Sequence, residues 1–168
     1  MSQKNKIRAR SAFTIMELLA GVVIFTMIVM VAINAYATIS QLWKESLVMN
    51  ELSLSANTAI EKMIHGESAN AGLLAAKSIV APTLGLSANS VDYTDAFDVS
   101  RRFYHSSGNI YNEEDELILS DIDQASISGA NIFLNVDDRV VKIVLPLQKF
   151  AGSKEVKLRV ETRVTLRN

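Results

Sequence analysis

From Leu18 to Ile33 the chain reads LLAGVVIFTMIVMVAI, an apolar run without a charged residue. Counted from Phe13, the stretch is 21 residues, about 31 Å at the helical rise, which matches the roughly 30 Å hydrocarbon core of a bilayer. This predicts one membrane-spanning helix. Residues 37–64 contain neither Gly nor Pro and keep helical spacing. Ile39, Leu42, Met49, Leu52, Ala56, Ala59, Ile60 and Met63 form one stripe, with Lys44, Glu45, Asn50, Glu51, Asn57, Glu61 and Lys62 mostly off it, the pattern of a helix laid on a core. Gly66 is placed to cap the C-terminus. A helix over 13–65 has 53 residues, about 80 Å against an ordinary length of roughly 12 residues, and only an element serving two environments needs it.

Past Gly66 the runs shorten and alternate, broken by Pro82, Gly85, Gly108, Gly129 and Gly152, which predicts β-structure. Residues 69–90 read as a loop-rich connection with a short strand near Ile79 and Val80. Segments 99–105 and 109–111 flank Ser106-Ser107-Gly108 and read as a hairpin, followed by a solvated loop at 113–116. Segments 132–136, 139–147 and 155–167 read as three antiparallel strands. In the last, Val156, Leu158, Val160, Val164 and Leu166 alternate with Lys157, Arg159, Glu161, Arg163 and Arg167, so one face must meet a core. The partner expected for that face is the apolar stripe of the helix. The expected fold class is therefore α+β, a long N-terminal helix packed on an antiparallel sheet. The chain divides into a leader at 1–12, an apolar half-helix at 13–36, an amphipathic half at 37–65 and one β-rich head at 66–168, whose 103 residues suffice for a single small domain.

The leader carries Lys4, Lys6, Arg8 and Arg10 and no acid. By the positive-inside rule it stays cytoplasmic and the head lies across the membrane. A secretory signal is cut after its apolar stretch. Here the small residue, Ala12, precedes that stretch. Glu17 stands out, because a carboxylate in a membrane span costs on the order of 3 kcal/mol, a factor of ~100. Cutting after Ala12 would place a new α-amine on Phe13, four residues from Glu17. That amine could meet Glu17 within one helix, or reach Glu17 of a neighbouring parallel helix and set subunit register.

Basic leader, Ala12, Phe13, Thr14, two apolar residues, Glu17 and an unbroken apolar helix resemble the class III signal of type IV pilins and pseudopilins. The resemblance implies a pilin-like fold, cleavage between Ala12 and Phe13 by a prepilin peptidase, methylation of the Phe13 amine, and an assembly role for Glu17. Ala12 departs from the usual Gly before the cut, and Asn34 stands where major pilins often have a helix-loosening Pro, so a continuous helix is expected there. Gly21 is placed to permit close helix packing. The hairpin S-G-N-I-Y, the stretch S-D-I-D, the run V-V-K-I-V-L-P-L and the terminal V-T-L-R-N resemble J-type minor pseudopilins and also W-type minor pilins. What this implies is a low-copy subunit of a type II secretion pseudopilus that joins other minor pseudopilins in a tip complex and engages an inner-membrane assembly platform and membrane lipid. It would be single-pass in the inner membrane with a periplasmic head. A minor pilin of a type IV or competence pilus is the alternative, and an uncleaved, signal-anchored periplasmic binding domain is a third, for which snorkelling would make Glu17 cheap.

Charge is lopsided. Without the leader, 13 basic residues face 18 acidic; residues 66–138 hold 3 basic and 12 acidic, and 139–168 hold 8 basic and 2 acidic. Such poles suit charged lateral contacts, or are simply solvated faces. Lys157, Arg159, Arg163 and Arg167 could meet phosphates, but no stacking aromatics are interleaved among them, which argues against nucleic acid. With no Cys, only His65 and His105, and no nucleophile elbow or phosphate loop, the pattern points away from an enzyme and from a cofactor. His65 falls at the helix end and His105 is expected to face solvent. Asp92, Asp95 and Asp98, or residues 113–116 with Asp121 and Asp123, are the carboxylates that could attract calcium, but their spacing matches no calcium loop and no metal is expected. The lack of Cys also removes the C-terminal disulfide loop common in major pilins.

Overall fold

The computed structural model describes residues 15–66, 71–127 and 131–167. Helix α1 (Ile15–His65) passes through Asn34 unbroken. Asn34 keeps its carbonyl in use, accepting from Thr38 Oγ1 at 3.0 Å. The helix stops where Gly66 adopts φ +70° and donates its N–H to the Lys62 carbonyl at 2.7 Å, a left-handed cap that an L side chain would resist. The chain forms two compact units, one ending at Leu42 and the other starting at Trp43. In the first, the described residues are helical and almost all exposed.

In the second unit a 3-10 turn (Leu73–Ala75) precedes β1 (Ser78–Ala81), β2 (Ser87–Ala88), β3 (Ser90–Thr94), β4 (Ser100–Ser106), β5 (Asn109–Asn112), β6 (Leu117–Leu119), helix α2 (Gln124–Ile127), β7 (Phe133–Asp137), β8 (Val140–Ala151) and β9 (Lys154–Thr165). They make two antiparallel sheets, β1-β3-β4-β5-β6 and β2-β7-β8-β9. The hairpin expected at Ser106-Ser107-Gly108 is present. Ser107 and Gly108 take φ of 51° and 83°, the two positive values of a type I′ turn. Gly152, at φ 68°, opens the two-residue loop joining β8 to β9.

One apolar core lies under both sheets. Leu52, Ala56, Ala59 and Met63 of α1 are buried at intervals of four, three and four, with Val91, Tyr93, Phe103 and Ile110 from the first sheet and Ile143, Leu145 and Leu147 from the second. Tyr93 and Phe103 stack at 5.7 Å as diagonal cross-strand neighbours. Two ion pairs, Glu45 to Lys154 at 2.7 Å and Glu51 to Lys149 at 2.5 Å, tie α1 to the β8–β9 hairpin. Exposed pairs of this kind contribute ~0.2–1 kcal/mol each, against ~1.5–3 kcal/mol for one buried Leu or Met, so burial holds the helix and the ion pairs orient it.

Two expectations need correcting. Within the second unit the packed part of the stripe is shorter than its periodicity: Met49 is 38% exposed, whereas Leu52, Ala56, Ala59 and Met63 are buried. Amphipathic spacing does not say how far a sheet extends beneath a helix. Strands between Ser78 and Leu119 also build a second sheet, where the sequence indicated only a hairpin and a short strand. The alternation in β3 spans little more than Val91-Asp92-Tyr93, too short to stand out from a loop.

Candidate functional site

Glu17 lies in the first described turn of α1. From Leu18 to Trp43 no side chain is charged, a run of about 39 Å at the helical rise. Met16, Leu18, Leu19, Val22, Ile24 and Phe25 are more than half exposed, as are Met27, Ile28, Met30, Val31 and Ile33. That makes a continuous apolar surface far beyond what an isolated soluble helix carries. Its two threonine hydroxyls bond their own helix, Thr26 Oγ1 donating to the Val23 carbonyl at 2.8 Å as Thr38 does to Asn34. This is the satisfaction a hydrocarbon environment demands. The helix is long and apolar enough to cross a membrane.

Gly21 stands four residues after Glu17 on the same helix face, and nothing lies within 4 Å of where its Cβ would be. The face therefore offers a carboxylate beside a notch through which another backbone could approach closely. Ala12 and Phe13 lie outside the described residues.

Among the other charged candidates, in the second unit, Asp92, Asp98 and Asp123 are already paired. Asp92 meets Arg102 through two bonds at 2.6 and 3.1 Å, and Asp98 meets Lys77 at 2.6 Å. Asp123 accepts from the hydroxyl of Ser126 at 2.5 Å and from Lys157 at 3.1 Å, which holds its carboxyl below the usual range. Among the described residues no group of three or more His, Cys, Asp or Glu side chains converges as a metal site would. His105 is half-buried rather than solvent-facing. Its Nε2 accepts the Gly108 N–H at 3.2 Å inside the hairpin turn, and burial pushes its pKa down.

Asp95 is the charged residue whose role the sequence concealed. It is fully buried, Oδ1 accepting the N–H groups of Phe97 and Val99 at 2.8 and 2.9 Å and Oδ2 accepting Arg101 Nε at 2.9 Å. Arg101 continues to Glu113 at 2.5 Å, joining the β3–β4 loop to the loop after β5. The Arg101 bond, with the two backbone N–H groups, holds the Asp95 carboxyl below its ordinary range against the opposing effect of burial. A carboxyl depressed in the folded state adds stability that is fully present above its unfolded pKa, about 3.9, and is lost as pH falls through the folded value. The melting temperature is thus expected to fall steeply below about pH 4, and Asp95→Asn to flatten that dependence while lowering stability at neutral pH. Parallel pH profiles for the two proteins in thermal melts would remove Asp95 from the explanation.

No protein-family model, curated protein or solved structure matches the chain.

Proposed function

We propose that the chain is a minor pseudopilin, a non-catalytic tip and assembly-initiating subunit of a type II secretion pseudopilus. A prepilin peptidase would cut between Ala12 and Phe13 and methylate the new amine. The product would wait in the inner membrane with its head in the periplasm, then join other minor pseudopilins through the assembly platform. The observation carrying this reading is Glu17 at the start of an exposed, otherwise uncharged apolar stretch within one unbroken helix of 51 residues.

An apolar surface of that extent needs lipid or other helices around it, and a carboxylate in that surface needs a cation. Once the leader is removed no Lys or Arg precedes Lys44, so the α-amine created at Phe13 would be the cation nearest to Glu17 along the processed chain. Beside Glu17, Gly21 gives a partner helix room. The same constellation would serve a minor pilin of a type IV or competence pilus, with different partners in the tip.

Mass spectrometry of the amino terminus, on membrane-extracted protein with and without co-expressed prepilin peptidase, tests the reading. The expected product begins at N-methylated Phe13 only when the peptidase is present. An intact leader in the presence of active peptidase would reject it in favour of an uncleaved anchor.

A further inference from the structure

We propose that the outer edge of β9 is a strand-addition site for an extended segment of another protein that carries acidic side chains at alternate positions. The proposal rests on the second unit alone and does not require cleavage at Ala12.

Strand β9 ends its sheet, and its twelve residues pair with β8 on one side only. The hairpin closes at Ala151 and Lys154 around a two-residue loop, so the even positions of β9 exchange bonds with β8 and the odd positions, 155 to 165, turn N–H and C=O outward. The bonds on the far side of β8 confirm this phase. Val144 and Gln148 donate to Ile132 and Asp121, and the Pro146 carbonyl accepts from Asp123, so even positions of β8 face away from β9. Pro146, which has no N–H, stands opposite Arg159 and costs the β8–β9 ladder nothing. Among the described residues the backbone bond to this edge comes past its end, where Arg167 donates to the Leu74 carbonyl at 2.8 Å. Among the described residues no backbone group of another element bonds the odd positions before it.

The side chains say which strand would fit. Lys142 lies directly opposite Arg163, a like-charge cross-strand pair in which Glu161 answers the lysine. Glu161 is already engaged, 2.7 Å from both Lys142 Nζ and Arg159 Nη2, and Arg163 has no ion-pair partner among the described residues. An edge protected merely against aggregation would be served by charges of either sign. Here the unrelieved charge is positive and sits beside free backbone groups. A polypeptide strand answers both at once, since donors and acceptors alternating at every second residue match peptide groups and not a phosphodiester chain.

Amide hydrogen exchange on the full chain in detergent micelles, with a ten-residue peptide of alternating Thr and Glu as probe, tests this. Exchange at Lys157, Arg159, Glu161 and Arg163 should slow about tenfold with that peptide, and not with its Thr-Lys counterpart. Arg159→Pro removes an outward donor but no ladder bond and should abolish the effect, while Arg163→Glu should weaken it for the Glu peptide without disturbing the fold. The proposal is overturned if neither peptide slows exchange or if both do so equally. It is likewise overturned if protection follows protein concentration without peptide, indicating a second copy, or if oligothymidylate reproduces it.

Discussion

Glu17→Leu is expected to leave membrane insertion intact and to remove the subunit from the assembled fibre. Insertion cannot suffer, because replacing a carboxylate in an apolar span by leucine lowers its transfer cost. Assembly should suffer if the carboxylate is what a neighbour's amino terminus recognises. A charge-assisted bond worth ~1.5–3 kcal/mol corresponds to a loss of about ten- to a hundredfold in incorporation. Glu17→Ala should behave alike, which separates loss of charge from added bulk. The measurement is the share of protein in sheared or cross-linked fibres against the share in the membrane fraction. Normal incorporation of either variant would end the role proposed for Glu17.

The largest expected effect on stability comes from Gly72→Ala. Gly72 has φ −88° and ψ 173°, extended backbone open to any residue, so nothing in its torsion angles calls for glycine. The constraint is space. A Cβ there would lie 2.2 Å from the Ile64 carbonyl oxygen and 2.4 Å from the Gly66 nitrogen, both backbone atoms at the end of α1. Gly66 faces it in return, its own Cβ position 2.6 Å from the Gly72 nitrogen. The chain thus comes back against the last helical turn through two opposed glycines. Tyr93 then pins the returning segment by donating to the Ala71 carbonyl at 2.7 Å in the buried interior. Since backbone cannot swing aside as a long side chain would, the substitution should cost ~3 kcal/mol, roughly 10 °C in melting temperature. Gly85→Ala is the matching control: it has φ +77° but nothing within 4 Å, so it should cost only the ~1–2 kcal/mol of a left-handed conformation. Melts of the detergent-solubilised chain, followed by the sheet signal in circular dichroism, compare the two. Should Gly72→Ala be the milder variant, the close apposition is not what locks the helix end.

Much of the architecture is legible in the sequence because its signals are local. The apolar run, the absence of Gly and Pro over 37–64 and the glycine at 66 define α1 to its last residue. The turn residues at 106–108 and the strict alternation over 155–167 place β4, β5, β8 and β9. Glu17 and Gly21 are visible for the same reason, as exceptions within a uniform stretch. Less legible were features that depend on which residues meet across distance. Asp92, Asp95 and Asp98 look like one acidic cluster in the sequence, yet each has its own cation, Arg102, Arg101 and Lys77. The basic C-terminal third looks like a free positive pole, yet Lys142, Lys149, Lys154, Lys157 and Arg159 all hold carboxylates.

The sequence by itself therefore determined the helix, its apolar and amphipathic halves, the strand-rich head and the isolated carboxylate at the helix start. These follow from periodicity and composition, which act between residues a few positions apart. Only the tertiary structure decided that the head has two sheets over one core, that the packed stripe begins near Leu52, that Asp95 is buried on Arg101, and that β9 is left with an open edge. Those outcomes depend on which segments far apart in the chain come to share a surface. The burial of a charge, and the pairing or freedom of a strand edge, is set by that neighbour and not by the residue's own place in the sequence.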